Sequence, residues 1–203
     1  MPELPENFHA RAVAAADEQG RLPVPEQAMW EIFPFERPGL VAKPLEAPVL
    51  PEPPRGGEDG RDCWRCAHPD EDVLWSDEHW LLARLPEPLR LPFAAMLMPK
   101  AHLDLGDLDD VHAGEMGQLI VRIDRAVRTL PAVGRVHVNK WGDGGAHLHV
   151  VFLARPGGLL QLRGSSLPLW EEMLPPVPPE IAAEDLYSVA TALAECGGRL
   201  AAR

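Results

Sequence analysis

Short apolar runs, separated by polar or glycine-rich turns, dominate the middle of the chain and predict a β-sheet. The run that ends at Pro99 is almost continuously apolar, which indicates a buried strand. Residues 141–145 contain three glycines and an aspartate, which favours a turn between two strands. The predicted strands cover residues 73–75, 79–84, 93–98, 135–140 and 147–153.

A long amphipathic helix is predicted over residues 108–130, between the third and fourth strands. Its apolar residues recur at near-helical spacing, acidic residues lie near its start, and Pro131 stops it. A second helix is predicted over residues 182–196 and a short alanine-rich one over residues 6–19. The apolar positions predicted to face the core from the long helix are Val111, Met116, Leu119, Ile120, Ile123 and Val127.

Proline divides the 203-residue chain, because 11 of its 23 prolines fall within residues 1–54. Such a segment is extended and rich in turns, and its end, PEPPRGGEDGRD, is typical of a linker. The sequence therefore predicts a Pro-rich N-terminal extension over residues 1–60, a core domain over residues 61–156 and a C-terminal helical segment over residues 157–203.

Charge and hydropathy narrow the function. The formal net charge of −12 repels phosphate backbones, which argues against a nucleic-acid partner. No run approaches the ~20 apolar residues that span a bilayer, so no membrane partner is expected. The N-terminal residues carry acids and lack an apolar signal core, which favours a cytoplasmic location.

Cys63 and Cys66 form a C-x-x-C motif, a spacing that lets two thiolates bind one metal ion. Tetrahedral zinc then needs two further ligands, and His102 and His147 are candidates downstream. His68 lies close enough along the chain to compete. A redox dithiol and two incidental cysteines remain alternatives at this point.

His147 and His149 form an H-x-H motif among branched apolar residues. If this segment is a strand, His147, His149 and Val151 share one face, and two imidazoles there are costly to bury without a role. One can bind metal while the other stays free to react. A paired-histidine metal site without a reaction is the alternative.

Asn139 and the pair Gly144–Gly145 lie just before this motif. Glycine lets backbone N–H groups approach an anion, and asparagine can donate to a phosphate oxygen. Such a string alone is typical of a hairpin loop, but beside two histidines it predicts a phosphate-binding loop.

In this order, the C-x-x-C motif, the Met98–His102 segment, the long helix, Asn139, the Asp-Gly-Gly turn and H-x-H resemble the histidine triad superfamily. The resemblance covers residues 61–156. It implies an α+β core of antiparallel sheet and helices that binds nucleotides and often forms a homodimer. It also implies hydrolysis or transfer of a nucleotidyl group through a covalent histidine–nucleotide intermediate.

The same resemblance assigns roles to individual residues. The nucleophile would be His149, the second histidine of the motif. In zinc-bearing members, including the galactose-phosphate uridylyltransferases, the first motif histidine joins C-x-x-C and an upstream histidine on the metal. This implies a structural zinc ion on four ligands, which are Cys63, Cys66, His102 and His147. The ribose-binding acid would correspond to Glu87.

Val151 departs from the family, whose third motif position is usually histidine or glutamine. A hairpin that pairs Asn139 with His147 would place His137 opposite His149, so we hypothesise that His137 replaces part of the missing role. The departure also keeps two other functions open. One is a non-catalytic nucleotide-binding or zinc-stabilised scaffold protein, and the other is a redox protein.

Overall fold

The structure is a computed structural model that describes residues 46–85 and 88–201 continuously, and residues 10, 13–21, 24, 28, 30, 33–35, 40, 43 and 44 before them. Glu87 and residues 6–9, 11 and 12 of the helix predicted over residues 6–19 lie outside the described residues. The chain forms two compact units, residues 1–54 and 55–203. In the first unit, an isolated antiparallel bridge pairs Arg21 with Pro44.

The second unit is built on a sheet of six strands, counted over the described residues. They are β1 (Val73–Ser76), β2 (Trp80–Arg84), β3 (Phe93–Pro99), β4 (Val133–Asn139), β5 (Val150–Pro156) and β6 (Arg199–Leu200). Their order across the sheet is β4-β5-β3-β2-β1-β6. All neighbouring strands are antiparallel, which confirms the predicted α+β class with an antiparallel sheet. The short strand β6 was not predicted from sequence.

The predicted long helix is confirmed with shorter ends, from residue 110 to residue 127. It begins there because the carboxylate of Asp109 accepts the backbone N–H of His112 and caps the first turn. The last helix begins at Pro179, three residues before its predicted start, since proline is tolerated at the first helical position. No helix in the described part of the chain is long and apolar enough to cross a membrane. The α-helices are α1 (Trp64–Ala67), α2 (Asp110–Val127), α3 (Leu167–Glu171) and α4 (Pro179–Ala194).

The main core lies between one face of the sheet and helices α2 and α4. Ile123 and Val127 of α2 are fully buried there against sheet residues such as Phe152. The placement of Val111 in the core was wrong, because its side chain is 61% exposed. Val111 lies roughly 120° around the helix from Ile123, which turns it towards solvent.

The other face of the sheet carries a second apolar layer. Val151 and Leu153 of β5 pack there with Leu162 and with Leu167 at the start of α3. The hydrophobic residue at the third motif position is therefore a member of a packed apolar layer.

The predicted pairing of β4 with β5 was wrong in register. Asn139 lies opposite Val151 rather than His147, and His137 lies opposite Leu153 rather than His149. Strand β5 also begins at Val150, so the two motif histidines precede it. The cause is local: the N–H of Leu148 donates to the carbonyl of Leu103, 2.8 Å away, which ties this segment to the loop after β3.

A glycine at the end of the last helix lets the chain return to the sheet. Gly198 has φ +75°, and a Cβ there would lie 2.5 Å from the Trp75 indole. The same indole donates its Nε1–H to the carbonyl of Gly197 at 2.8 Å. This close approach allows Arg199–Leu200 to pair with β1.

We expect Gly198→Ala to lower the free energy of unfolding by about 2 kcal/mol or more, because it combines a left-handed backbone with a clash against buried Trp75. Gly158→Ala is the matched control, since Gly158 has φ +78° and open space around its Cβ position. In urea denaturation, the free energy of unfolding of the control should fall by about 1 kcal/mol. Equal losses in the two variants would contradict the proposed role of the Trp75 contact.

Candidate metal centre and nucleotide site

Four metal-ligating side chains from three segments meet at one end of the sheet. Cys63 precedes helix α1 and Cys66 lies within it. His102 lies in the loop after β3, and His147 lies in the loop before β5. Each of the four residues offers one ligand atom that lies within 4.8 Å of the other three. The fold therefore brings together all four side chains that the sequence comparison grouped.

The distances within this cluster suit a tetrahedral ion. His147 Nδ1 lies 3.4 Å from the Cys63 sulfur and 3.6 Å from the Cys66 sulfur. His102 Nδ1 lies 3.4 Å from the Cys66 sulfur. Zinc bonds of about 2.3 Å to sulfur and 2.0–2.1 Å to nitrogen, at tetrahedral angles, place these ligands about 3.5 Å apart. The four side chains thus fit zinc with little rearrangement.

His147 is held in the tautomer that a metal ligand needs. Its Nε2 lies 2.8 Å from the carbonyl oxygen of Pro99, which can only accept, so Nε2 carries the proton. The lone pair then belongs to Nδ1, which faces the two cysteines. Burial lowers the pKa of His147 and favours the neutral imidazole. A backbone partner of this kind orients many metal-bound histidines.

The Cys66 thiol is poorly suited to redox chemistry. Partial desolvation and the hydrogen bond with Cys63 raise the pKa of the Cys66 thiol to about 11. A thiol of this kind is almost entirely protonated at neutral pH and is a weak nucleophile. A divalent cation displaces such thiol protons on binding, so the cluster favours metal over dithiol exchange.

His68, the competing ligand, lies outside the cluster. Its ring stacks on Trp64, with centroids 5.0 Å apart, and its Nδ1–H donates to the Trp64 carbonyl at 2.9 Å. His68 is also exposed. It therefore serves as a control histidine close in sequence to both cysteines.

His149, the predicted nucleophile, follows the metal cluster by two residues. Its Nδ1 lies 2.9 Å from the carbonyl oxygen of His147, so Nδ1 carries the proton and Nε2 keeps its lone pair. The residue is half-buried at the entrance to β5. This is the tautomer that a nucleophilic imidazole requires.

The glycine-rich loop is fixed on one side by the segment that precedes the cysteines. The N–H of Gly56 donates to the carbonyl of Gly144 at 3.1 Å, and the N–H of Ala146 donates to the carbonyl of Gly56 at 3.0 Å. In the described residues, the amides of Gly144 and Gly145 donate to no other group. A Cβ added at Gly144 would meet nothing within 4 Å. Both amides are thus available to an anion.

Asn139 lies at the end of β4, opposite Val151. Val151 follows His149 by two residues in the chain. His137 lies two residues further back, opposite Leu153, and burial lowers its pKa. The register that would have set His137 against His149 is absent. Our hypothesis that His137 replaces the third motif residue by cross-strand pairing therefore loses its geometric basis.

Arg55 is a site residue that the sequence did not indicate, because its segment was interpreted as a linker. Its guanidinium binds Glu58 at 2.9 Å, Asp104 at 2.7 Å and the carbonyl of Gly142 at 3.1 Å. It thereby joins the segment before the cysteines, the loop that carries His102 and the glycine-rich loop. The hydrogen bond from Arg55 holds the pKa of Glu58 below its usual range.

Gly57 explains why this segment lies so close to the cysteines. Its φ is +79°, and a Cβ there would lie 3.0 Å from the Cβ of Cys63 and 3.5 Å from the ring of His102. Only glycine adopts this backbone freely at such a distance.

Solved structures that resemble this chain include histidine triad proteins, the family that its motifs predicted. One is a Zn-bound histidine triad family protein from Mycobacterium smegmatis, with 21% identity over 66% of this chain and 94% of that chain, and a TM-score of 0.47. Another is a histidine triad protein from Clostridium difficile, with 25% identity over 46% of this chain and 90% of that chain, and a TM-score of 0.36.

A third similar structure is a uridylyltransferase, with 17% identity over 66% of this chain and 46% of that chain, and a TM-score of 0.48. No protein-family model and no curated protein matches the chain. At TM-scores below 0.5 these likenesses are loose, and the chemistry of the site rests on the residues described above.

We expect Arg55→Met to lower the urea midpoint of unfolding, because it removes the cation shared by three segments and leaves Asp104 with Lys140, whose Nζ is 3.5 Å away. Arg61→Met, at an exposed arginine in the same segment, is the matched control. The midpoint should fall in the first variant and stay near that of the wild type in the second. A midpoint for Arg55→Met within error of the control would contradict this role.

Proposed function

We propose that the chain is a histidine triad-type enzyme that hydrolyses or transfers a nucleotidyl group through a covalent intermediate on His149. The observation that carries this proposal is the hydrogen bond from His149 Nδ1–H to the His147 carbonyl. It leaves the Nε2 lone pair free for attack and holds the ring at a residue adjoining the metal cluster. A nucleophile aimed in this way is characteristic of covalent catalysis.

The reaction would proceed in two displacements. His149 Nε2 attacks the α-phosphorus of a nucleotidyl compound, and the phosphorus–oxygen bond to the leaving group breaks with its electron pair on that oxygen. The ring becomes a cation that keeps its Nδ1 proton, and the His147 carbonyl stabilises that charge. Water or an acceptor hydroxyl then attacks the phosphorus and gives its proton to solvent or to the leaving-group oxyanion, while the phosphorus–nitrogen bonding pair returns to Nε2.

Zinc fits the Cys63, Cys66, His102 and His147 cluster by donor chemistry and by distance. Four protein ligands complete a tetrahedron, so the ion would be structural, with no open position for a water or substrate. Its contribution would be to stiffen the loop between the glycine-rich turn and β5. Because His147 also supplies the carbonyl that orients His149, this stiffening reaches the nucleophile directly.

The proposed ligand is a nucleotide or a nucleotidyl conjugate. The free amides of Gly144 and Gly145, together with Asn139, are suited to an α-phosphate. They lie in an otherwise acidic chain, which favours a small anion held by backbone N–H groups over a long polyanion. The homodimer, the cytoplasmic location and the predicted segment limits also stay predictions.

A second candidate function is nucleotide binding without turnover. It is favoured by Val151, which packs in an apolar layer and cannot give a proton to a leaving group. Leaving groups of low basicity do not need that proton. The enzyme proposal therefore predicts the fastest turnover with such leaving groups, whereas the binding module would turn over none of them.

We expect intact-mass spectrometry to detect a nucleotidyl adduct on the wild-type chain after rapid acid quenching with adenylyl and uridylyl substrates that carry good leaving groups. His149→Ala should lose the adduct and at least about 10³-fold of the turnover, because no other group replaces the nucleophile. His68→Ala, which changes an exposed histidine outside the site, should retain both.

The two candidate functions separate in the same experiment. Nucleotide binding by the wild type with no adduct and no product would favour the binding module. Turnover that persists in His149→Ala would contradict the nucleophile assignment. Both readouts should be accompanied by circular dichroism to verify that the variant is folded.

We expect the purified chain to retain a zinc ion through extensive dialysis, and a strong chelator to lower its melting temperature as the ion is removed. His102→Ala should lose this ion, since three ligands remain of four, and His68→Ala should keep it. Elemental analysis beside thermal melting checks both results. Full zinc retention by His102→Ala would contradict the predicted ligand set.

A further inference from the structure

A second group of metal-ligating side chains lies beside the proposed zinc cluster, on the helix face of the sheet. His79 precedes β2, while His112 and Glu115 lie on the first turns of α2. One ligand atom from each lies within 4.8 Å of the other two. All three residues are partly buried.

Helical spacing explains two of the three positions. His112 and Glu115 are three residues apart, so their side chains lie on the same face of α2. His79 faces them from the sheet, and its ring centroid is 4.8 Å from that of His112. The Nδ1 of His79 lies 2.9 Å from one Glu115 oxygen. Ligands of a tetrahedral or octahedral ion, with bonds of about 2.0–2.2 Å, lie about 2.9–3.4 Å apart.

Each of the three residues is held in place by a hydrogen bond to a neighbouring group. The carboxylate of Asp109 lies 2.7 Å from His112 Nδ1, which leaves His112 Nε2 as the donor atom. The indole of Trp80 donates to a Glu115 oxygen at 3.0 Å. The backbone of His79 is fixed on both sides, by the Asp77 carboxylate and by the N–H of Lys100. Carboxylate–histidine–metal arrangements of this kind orient ligands and raise their basicity.

The local charge also favours a cation. Besides Glu115 and Asp109, the Glu78 carboxylate lies 3.7 Å from His79 Nε2. No arginine or lysine in the described residues forms an ion pair with Glu115, whose recorded partner is His79. A divalent ion would take the place of the Nδ1 proton of His79 and release that proton to solvent.

We propose that His79, His112 and Glu115 form a second metal site, which binds a divalent transition-metal ion of the zinc type. Two imidazoles and one carboxylate are borderline ligands that suit Zn²⁺ and Co²⁺ rather than Mg²⁺ or Ca²⁺. Three protein ligands leave at least one position to water, in contrast to the closed Cys63–His147 cluster. The ion would connect β2 to α2. This inference stands independently of the proposed nucleotidyl chemistry.

The test uses the full chain and a metal that reports its own ligands. The chain is first loaded with one equivalent of Zn²⁺ and then titrated with Co²⁺, followed by absorption spectroscopy. Co²⁺ in the second site should give d–d bands without the thiolate charge-transfer bands that cysteine ligands produce. Each further equivalent bound should also raise the melting temperature, because the ion binds only the folded chain.

Variants separate the site from general surface binding. His112→Asn should weaken the thiolate-free Co²⁺ binding by at least about 100-fold, and Asp109→Asn, which keeps a capping residue, should weaken it by about 10-fold. His68→Ala is the control and should bind as the wild type does. Circular dichroism and retention of the first zinc ion report that each variant is folded.

The outcomes are decisive in either direction. Saturable, thiolate-free Co²⁺ binding that His112→Asn loses and His68→Ala keeps would establish the site. Binding of a single equivalent in the wild type, or a second equivalent unaffected by His112→Asn, would overturn the proposal. In that case the His79–Glu115 contact is an ion pair.

Discussion

The backbone and side chain of His147 connect every part of the candidate site. Its Nδ1 faces the two cysteines, its Nε2–H donates to the Pro99 carbonyl, and its own carbonyl receives the Nδ1–H of His149. The two contacts with carbonyl oxygens fix the protonation of a ring nitrogen as well as its direction. One residue thus couples the metal cluster to the end of β3 and to the proposed nucleophile, over two residues of chain.

This coupling requires the H-x-H segment to leave the sheet. A regular strand through residues 147–149 would point both histidines to one face and commit their backbone groups to β4. Instead, the Leu148 N–H binds the Leu103 carbonyl in the loop that carries His102, and pairing with β4 begins only at Val151. Arg55 and Gly57 hold the remaining segments around the same point. The site is therefore an assembly of loops fixed at one end of a rigid sheet.

The apolar environment of Val151 defines what distinguishes this site chemically. Its side chain packs with Leu153 and Leu162. The metal-proximal half of the motif is complete, while the half that would donate a proton is replaced by core packing. The proposed catalysis consequently depends on nucleophile orientation and on backbone amides, more than on acid assistance.

Local patterns in the sequence predicted five of the six described strands and the long helix, and the family resemblance grouped the four residues of the metal cluster. Apolar periodicity is a local property, and the C-x-x-C and H-x-H spacings are visible in the chain. The sequence could not determine the register of β4 on β5. A shift of four residues preserves the alternation of faces, so the predicted and the observed registers satisfy the same apolar pattern. The predicted pairing of His137 with His149 was wrong for that reason.

The contacts of Arg55 and the proximity of His79 to His112 and Glu115 are visible only in the tertiary structure. Arg55 and Gly142 are 87 positions apart in the sequence, and His79 and Glu115 are 36 positions apart. These contacts form only when separate segments are packed together. Helical spacing in the sequence places His112 and Glu115 on one face, but only the packing of α2 on the sheet brings His79 to them.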